Sequence, residues 1–202
     1  MTIAQRPTLI LFTRYPVAGE CKTRLIPAVG PDMAASIQRH LTARTVELLR
    51  RSECPVIIAI TGADKTAFAT WLGNDLRYEA QVEGTLSDRL LAFLDTAPVI
   101  FFGADTPDLS GHHVQAAIDG LSTHEVVLGP AEDGGYYLIA MREPLPQLLT
   151  GMPWSTSEVL PETLRRLEDL GIEPLLLETL ADCDRPEDLS RWPELAPCEG
   201  AL

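Results

Sequence analysis

The sequence contains few of the residues that build metal–thiolate sites, secretion signals or membrane spans. Its 4 cysteines include no C-x-x-C pair and no zinc-ligand spacing, and its 4 histidines form no metal-binding motif. Residues 1–8 lack the apolar core of a signal peptide, and no segment approaches the roughly 20 apolar residues that span a bilayer. We therefore expect a cytoplasmic protein with reduced thiols and no membrane span.

Positive charge is scarce as well. The chain has 16 lysine and arginine residues against 29 aspartate and glutamate residues, which gives a formal net charge of −13. A nucleic-acid-binding face needs clustered basic residues, so we expect no nucleic-acid partner. A phosphate ligand is still compatible with this balance, because a local basic loop and a metal ion can hold one within an acidic protein.

Several common catalytic loops are also absent. The chain has no G-x-x-x-x-G-K phosphate loop, no G-x-G-x-x-G dinucleotide motif and no G-x-S-x-G nucleophile turn. These absences argue against a P-loop enzyme, a Rossmann-type dinucleotide binder and a serine hydrolase.

Strand-like and helix-like segments alternate through the first 130 residues. Apolar runs occupy residues 8–12, 56–60 and 98–102, and residues 31–51 show the apolar spacing of a helix. This alternation is typical of a mostly parallel sheet covered by helices on both faces. The length of 202 residues predicts one α/β domain over the whole chain, 1–202.

The run at residues 98–102 stops at a Gly-Ala-Asp turn, which contains Asp105 and is followed by Asp108. Ligands of α/β proteins bind beyond the carboxyl ends of buried strands, where these two carboxylates are expected to project. Neighbouring carboxylates suit Mg²⁺ or Mn²⁺. An ordinary turn, with Asp108 capping the helix that follows, explains the same pattern.

A basic loop, residues 13–25, follows the first predicted strand. It carries Arg14, Lys22 and Arg24 together with Gly19. Glycine lets the backbone approach a phosphate, and lysine and arginine neutralise its charge. The position of the loop directly after a strand favours phosphate binding over a solvated turn.

A glycine-rich turn lies between two further apolar runs. It contains Glu132, Asp133, Gly134 and Gly135, a pattern that also fits a plain β-hairpin. The paired glycines permit the close approach of a sugar-like ligand. The two carboxylates are able to accept hydrogen bonds from the hydroxyl groups of such a ligand.

Trp154 and Asp184 have two interpretations each. Trp154 either covers a ligand or packs against the helix that a capping-box pattern at residues 155–158 predicts. Asp184 either caps a helix or completes a metal site with Asp105.

Four stretches together resemble a known family: residues 14–25, 103–109, 129–138 and 154–157. Their order and spacing are similar to those of the small bacterial GT-A-like transferases described as radical-SAM/selenodomain-associated. Some members are named arsenosugar-biosynthesis glycosyltransferases. The resemblance covers about residues 9–189 and implies a single-domain, GT-A-like nucleotide-diphospho-sugar transferase fold.

The resemblance implies that the basic loop holds a nucleotide and that Asp105 binds a divalent metal. The ending around Asp184 is similar to that of molybdenum-cofactor guanylyltransferases, which extends the metal role to this residue. The chain departs from the family at residues 84–89, where the usual Gly-Asp-Leu-Gly-Glu-Arg loses its second glycine. Arg89 is retained in a predicted helix, residues 85–95, and faces either the phosphates or solvent.

Glycosyl transfer from a nucleotide sugar to a small-molecule acceptor is the first functional hypothesis. Mg²⁺ or Mn²⁺ on Asp105 and Asp184 would bind the diphosphate, and Lys22 with Arg24 would stabilise the leaving group. Asp133 would contact the sugar or the acceptor, which makes Asp105, Asp133 and Lys22 the candidate catalytic residues.

Nucleotidyl transfer is the second hypothesis, because the Lys-Thr-Arg-Leu sequence of the basic loop resembles phospholactate guanylyltransferases. The same residues would then hold a nucleoside triphosphate, and pyrophosphate would leave. The third hypothesis is a nucleotide-binding module without turnover. The presence of both the basic loop and the acidic strand ends argues against it.

Overall fold

The structure, a computed structural model, describes residues 6–195. Within this range the chain forms a sheet of seven strands: β1 (Thr8–Arg14), β2 (Val56–Thr61), β3 (Arg77–Ala80), β4 (Val99–Phe102), β5 (Val126–Pro130), β6 (Tyr136–Met141) and β7 (Leu175–Leu176). Their order across the sheet is β3-β2-β1-β4-β6-β5-β7. Only the β4–β6 and β5–β6 pairs of this sheet are antiparallel, so the predicted mostly parallel α/β architecture is confirmed.

Helices cover both faces of the sheet. They are α1 (Ile26–Arg50), α2 (Lys65–Leu72), α3 (Leu86–Leu91), α4 (Gly111–Gly120) and α5 (Val159–Asp169), with short 3₁₀ helices at Leu94–Thr96, Pro146–Leu148, Pro186–Ser190 and Pro193–Leu195. None of the helices between residues 6 and 195 is long and apolar enough to cross a membrane.

Strand β1 shows how the sheet divides the core. Leu9 and Leu11 lie in the cluster that contains Phe68 of α2, whereas Ile10 lies in the cluster that contains Leu90 of α3. Successive side chains of a strand point to opposite faces, so a strand buried on both sides reads as a continuous apolar run. Strands β1 and β4 could therefore be predicted from the sequence, although apolar and polar residues do not alternate along them.

A third cluster joins the two ends of the chain. Leu25, Ile37 and Leu41 pack against Cys183 and Trp192. This packing brings the acidic stretch after residue 180 next to the basic loop, although the two lie far apart in the sequence.

Helix α1 differs from the prediction at its start. It begins at Ile26 rather than at residue 31, and Gly30 breaks it with φ 77° and ψ 166°. The positive φ is readily adopted by glycine, and Pro31 restarts the helix because proline suits a first turn. The predicted helix at residues 85–95 is also shorter than expected, since α3 ends at Leu91.

The capping box predicted at residues 155–158 is wrong. Ser155 has φ 64°, and α5 begins only at Val159, without a side-chain cap. The reason is tertiary packing: the Leu160 N–H donates to the Gly134 carbonyl at 2.8 Å. Residues 155–158 therefore follow the surface of the glycine-rich turn instead of forming a helical first turn.

Candidate functional site

Three segments meet at the carboxyl ends of β1 and β4, which lie side by side because these strands pair in parallel. The basic loop leaves β1, and an acidic turn, residues 103–109, leaves β4. Residues 180–184 form the third segment, because the Cys183 N–H donates to the Asp105 carbonyl at 2.8 Å. The fold thus assembles a site at the place where open α/β sheets bind ligands.

Lys22 connects all three segments. Its Nζ donates to Asp105 Oδ1 at 2.5 Å and to the Cys183 carbonyl at 2.7 Å. The Lys22 side chain is 2% exposed, whereas that of Asp105 is 49% exposed. Burial alone would lower the pKa of Lys22, but the Asp105 carboxylate outweighs it and raises that pKa. A charged ammonium is therefore held beside a carboxylate that still faces the cavity.

Asp182 is a member of the site that the sequence did not reveal. Its Oδ1 accepts a hydrogen bond from Thr106 Oγ1 at 2.5 Å. Burial, with a smaller contribution from the nearby carboxylates of Asp105 and Asp133, raises the pKa of Asp182 to about 6, against the hydrogen bond from Thr106 and the charge of Lys22. The environment of Asp182 therefore disfavours its charged form.

Asp184 has a different environment from Asp182. Its Oδ2 accepts from Arg24 Nη1 at 2.5 Å, and both side chains are partly exposed. Asp184 does not cap a helix: its own N–H donates to Asp188 Oδ2 at 3.0 Å. The acidic stretch was a visible signal in the sequence, but only the contact with Thr106 distinguishes Asp182 from its neighbour.

A polar cavity of about 630 Å³ lies over these residues. Arg24, Asp105, Asp182 and Asp184 line it together with residues 155–157 and the glycine-rich turn. Its volume falls within the range of roughly 300–1,000 Å³ that is usual for small-molecule sites. The lining carries both arginine side chains, which suit phosphate, and carboxylates, which suit a divalent metal.

The glycine-rich turn forms the hairpin expected between β5 and β6. Glu132 forms an ion pair with Arg191 at 2.8 Å, and the Gly135 N–H donates to Asp133 Oδ1 at 2.9 Å. Gly134 has φ 88°, and a Cβ atom at this position would meet the Ser157 carbonyl at 2.4 Å. Glycine is therefore required here by both conformation and contact.

A second, apolar cavity of about 200 Å³ adjoins the first. Phe12, Phe101 and Leu86 belong to its lining, and so does Trp154, whose Nε1 donates to Ser87 Oγ at 2.9 Å. Asp133, Ser155 and Thr156 line both cavities, so the two spaces are neighbours.

Some predicted residues lie away from these two cavities. Arg14 forms an ion pair with Glu20 at 2.9 Å, and Arg89 Nη1 donates to Gln81 at 3.4 Å. Asp108 does not line either cavity, because it accepts a hydrogen bond from Trp192 Nε1 at 3.1 Å. Of the three basic side chains of the loop, Arg24 lines the polar cavity, Lys22 is buried behind Asp105 without lining either cavity, and Arg14 points elsewhere.

Gly19 is the remaining predicted phosphate contact. It has φ 86° and lies in the exposed part of the basic loop, with open space where a Cβ atom would be. Its conformation favours glycine, and its lack of neighbours leaves the backbone open to a ligand.

Mg²⁺ and Mn²⁺ bind oxygen ligands, usually carboxylates and water. Among residues 6–195, no group of three or more His, Cys, Asp and Glu side chains has the arrangement that holds a metal ion. Asp105 and Asp184 instead each pair with a cation. The carboxylates of Asp105, Asp133 and Asp182, which line the polar cavity, are donors of the chemical type that these ions prefer.

Two comparisons with known sequences bear on the site. A family model described as "Uncharacterized protein conserved in bacteria (DUF2064)" matches residues 42–156. The chain is also 35% identical over 116 residues to 2-phospho-L-lactate guanylyltransferase of Methanopyrus kandleri. That match covers 54% of this chain and 59% of the relative, so the chain spans about three-fifths of the relative's length.

Solved structures extend the likeness to nearly the whole chain. A crystal structure from Desulfovibrio desulfuricans G20, named as a candidate nucleotide-diphospho-sugar transferase, is 30% identical with a TM-score of 0.86, and the match covers 94% of this chain and 88% of that one. CMP:2-keto-3-deoxy-manno-octonic acid synthetase, complexed with CTP, matches in fold alone, with 15% identity, a TM-score of 0.57 and coverage of 95% and 98%. The chain therefore belongs to the DUF2064 family of proteins conserved in bacteria and has the nucleotide-diphospho-sugar transferase fold.

Proposed function

We propose that the chain is a metal-dependent glycosyltransferase that uses a nucleotide-activated sugar. The observation that carries this proposal is the polar cavity lined by Arg24, Asp105 and Asp182, with the buried Lys22 ammonium bonded to Asp105 behind the lining. Phosphoryl oxygens need cations, and a divalent metal needs carboxylates, so a nucleotide diphosphate with its metal satisfies both halves of the lining.

Asp105 and Asp182 are proposed as the pair that holds Mg²⁺ or Mn²⁺, with Asp184 beside them. Asp184 already pairs with Arg24, whereas a bound cation would offset the burial and the repulsion from Asp105 that disfavour the charge of Asp182. When bound, the metal would neutralise the diphosphate and stabilise it as a leaving group.

Lys22 and Arg24 would neutralise the remaining phosphate charge. Lys22 is buried and fixed by two hydrogen bonds, so it is preorganised for the charge that develops on the leaving group. Arg24 is more exposed and would exchange its contact with Asp184 for a phosphate oxygen.

Asp133 is proposed as the residue that receives the proton of the acceptor. Its side chain is exposed at the junction of the two cavities, within reach of a ligand in either. An exposed carboxylate beside the acceptor is able to act as general base. Glu132, tied to Arg191, would border the sugar together with Gly134 and Gly135.

Nucleotidyl transfer is the alternative, and the 35% identical guanylyltransferase favours it specifically. The same side chains would hold a nucleoside triphosphate, and pyrophosphate would leave after attack on the α-phosphate. The narrower expectation of an arsenosugar-type enzyme depends on the resemblance of the four sequence stretches and stays a prediction.

Donor binding and product formation separate these functions. The four nucleoside triphosphates and their nucleotide sugars would be titrated calorimetrically with and without Mn²⁺. Metal-dependent preference for one nucleotide sugar, with release of the nucleoside diphosphate or monophosphate on transfer, is expected for glycosyl transfer. Preference for a triphosphate, with pyrophosphate release, would replace the first proposal by the alternative. Binding without any turnover would leave a nucleotide-binding module.

Two broader expectations accompany the proposal. We propose a single domain over residues 1–202 and a cytoplasmic location. The free thiols of Cys21, Cys54 and Cys183, the cysteines within residues 6–195, are compatible with a reducing compartment.

A further inference from the structure

We propose that the acceptor carries an apolar ring, and that the apolar cavity beside the polar cavity binds this ring. The inference rests on the proposed function, because it names the class of molecule that would receive the transferred group. It concerns the acceptor's recognition and holds for glycosyl and nucleotidyl transfer alike.

The size of the apolar cavity suits a single ring. Its volume is about 200 Å³, somewhat larger than the roughly 150 Å³ of an apolar protein cavity that binds benzene. A six-membered ring with one or two substituents therefore matches this volume.

The walls of the apolar cavity are aromatic and fixed. Phe12 and Phe101 meet edge to face with ring centroids 5.8 Å apart, and Tyr136 and Trp154 do so at 6.1 Å. Trp154 is further held by its hydrogen bond to Ser87, whose hydroxyl donates to the Leu149 carbonyl. Such preorganised aromatic walls favour a flat apolar ligand through edge-to-face contacts.

The polar atoms of Tyr137 and Trp154 donate to other parts of the protein, and the Tyr136 hydroxyl is buried without a hydrogen-bond partner among residues 6–195. Tyr137 Oη donates to the Glu178 carbonyl at 3.1 Å, and Trp154 Nε1 donates to Ser87. A nucleobase or a sugar in this space would find polar side chains only at the boundary formed by Asp133, Ser155 and Thr156, and burying its remaining polar groups against the aromatic walls would be costly. The lining therefore favours an apolar ring over both.

The apolar and polar cavities share one boundary. Asp133, Ser155 and Thr156 line both of them. A molecule whose ring lies in the apolar cavity would present its polar, reacting end to Asp133 and to the donor in the polar cavity. The acceptor we infer is thus amphipathic, with an apolar ring next to the group that is modified.

Fluorobenzene tests the cavity directly, because ¹⁹F NMR follows its binding without knowledge of the natural acceptor. We expect saturable binding to the wild-type chain and no binding of 2-fluoro-2-deoxyglucose, a polar ring that carries the same reporter. Saturable binding of the sugar in place of fluorobenzene would overturn the inference.

A pair of leucine variants locates the binding. Leu86 lines the apolar cavity and is 39% exposed, whereas Leu170 is 42% exposed and lies outside both cavities. Leu86→Asp should weaken fluorobenzene binding by on the order of tenfold, because a charge replaces apolar wall. Leu170→Asp should change it by less than about twofold. Equal effects of the two variants would contradict the proposed location.

Repeating the titration with the four nucleoside triphosphates and Mn²⁺ separates this inference from the proposed function. Fluorobenzene that binds together with the nucleotide supports an acceptor pocket. Displacement by the nucleotide would make the cavity a base pocket and overturn the inference. If nucleotides bind and fluorobenzene does not, the inference alone fails. If no triphosphate or nucleotide sugar binds, the proposed function fails, and the acceptor assignment fails with it.

Discussion

The two cavities lie side by side at the end of β4, yet they are built in opposite ways. The polar cavity joins segments that are distant in the sequence through paired charges, such as Lys22 and Asp105, which are 83 residues apart. The apolar cavity is lined by side chains of β4 and β6, which the sheet itself holds in place, together with Phe12, side chains of α3 and residues 154–159. The polar cavity therefore depends on long-range ion pairs, whereas the apolar cavity depends more on the packing of strands and helices.

The largest effect expected is that of removing the buried cation of the polar cavity. Lys22→Met should lower the free energy of unfolding by about 3 kcal/mol, because it leaves the Cys183 carbonyl and part of the Asp105 carboxylate without their partner. It should also abolish nucleotide binding. Urea denaturation measures the first effect. A stability equal to that of the wild-type chain would show that the ion pair does not hold the three segments together.

A smaller, pH-dependent effect is expected for Asp182→Asn in metal-free buffer. The pKa of Asp182 rises from 3.8 to about 6 in the folded chain, so the ionised carboxylate destabilises the fold above pH 6 and the cost disappears below pH 4. Wild-type stability should therefore fall as pH rises from 4 to 6. The variant should lack this decline. Its free energy of unfolding at pH 7 should exceed that of the wild-type chain by about 2 kcal/mol, because the partial exposure of Asp182 limits the gain.

Denaturation curves at pH 4 and pH 7, recorded with a chelator, measure this difference. Asp184→Asn is the matched control, because its carboxylate is more exposed and paired with Arg24. Parallel pH profiles for the wild-type chain and Asp182→Asn would contradict the crowding of carboxylates in the polar cavity.

The apolar cavity should respond more weakly than the polar one. Trp154→Phe keeps an aromatic wall but loses the hydrogen bond from Nε1 to Ser87. We expect a loss of about 1 kcal/mol in the free energy of unfolding. Thermal unfolding tests this, and a loss as large as that of Lys22→Met would mean that the two cavities do not differ in how they are held.

The smallest stability effect is expected at the exposed edge of the polar cavity. The Arg24 and Asp184 side chains are 57% and 39% exposed, so Arg24→Met should change the free energy of unfolding by less than about 1 kcal/mol. Nucleotide affinity should nevertheless fall, because a phosphate contact is lost. Calorimetry and urea denaturation on one sample separate these effects, and unchanged affinity would remove Arg24 from the site.

Most of the fold could be predicted from local sequence patterns. The buried strand at residues 99–102, the turn with Asp105 and the hairpin around the glycine-rich turn all follow from apolar runs and turn residues that are adjacent in the sequence. The parallel strand order then placed the basic loop beside Asp105 without any knowledge of side-chain contacts.

The remaining features depend on contacts between distant segments. The sequence offered several aspartates after residue 181 and no way to decide that Asp182, bound by Thr106, faces Asp105. It also predicted a capping box at residues 155–158, where the packing of Gly134 against Ser157 prevents a helical turn. Such errors arise because a local propensity of about 1 kcal/mol is readily outweighed by tertiary packing.

We propose that Asp105 and its neighbours bind a nucleotide together with a divalent metal. Calorimetric titration of the nucleoside triphosphates and nucleotide sugars, with Mn²⁺, into the wild-type chain, Asp105→Asn and the control Asp119→Asn tests it most directly. Asp119 lies on α4, outside both cavities. We predict metal-dependent binding to the wild-type chain and to Asp119→Asn, and its loss in a folded Asp105→Asn. Unchanged metal-dependent nucleotide binding by Asp105→Asn would contradict the assignment of Asp105 to this site.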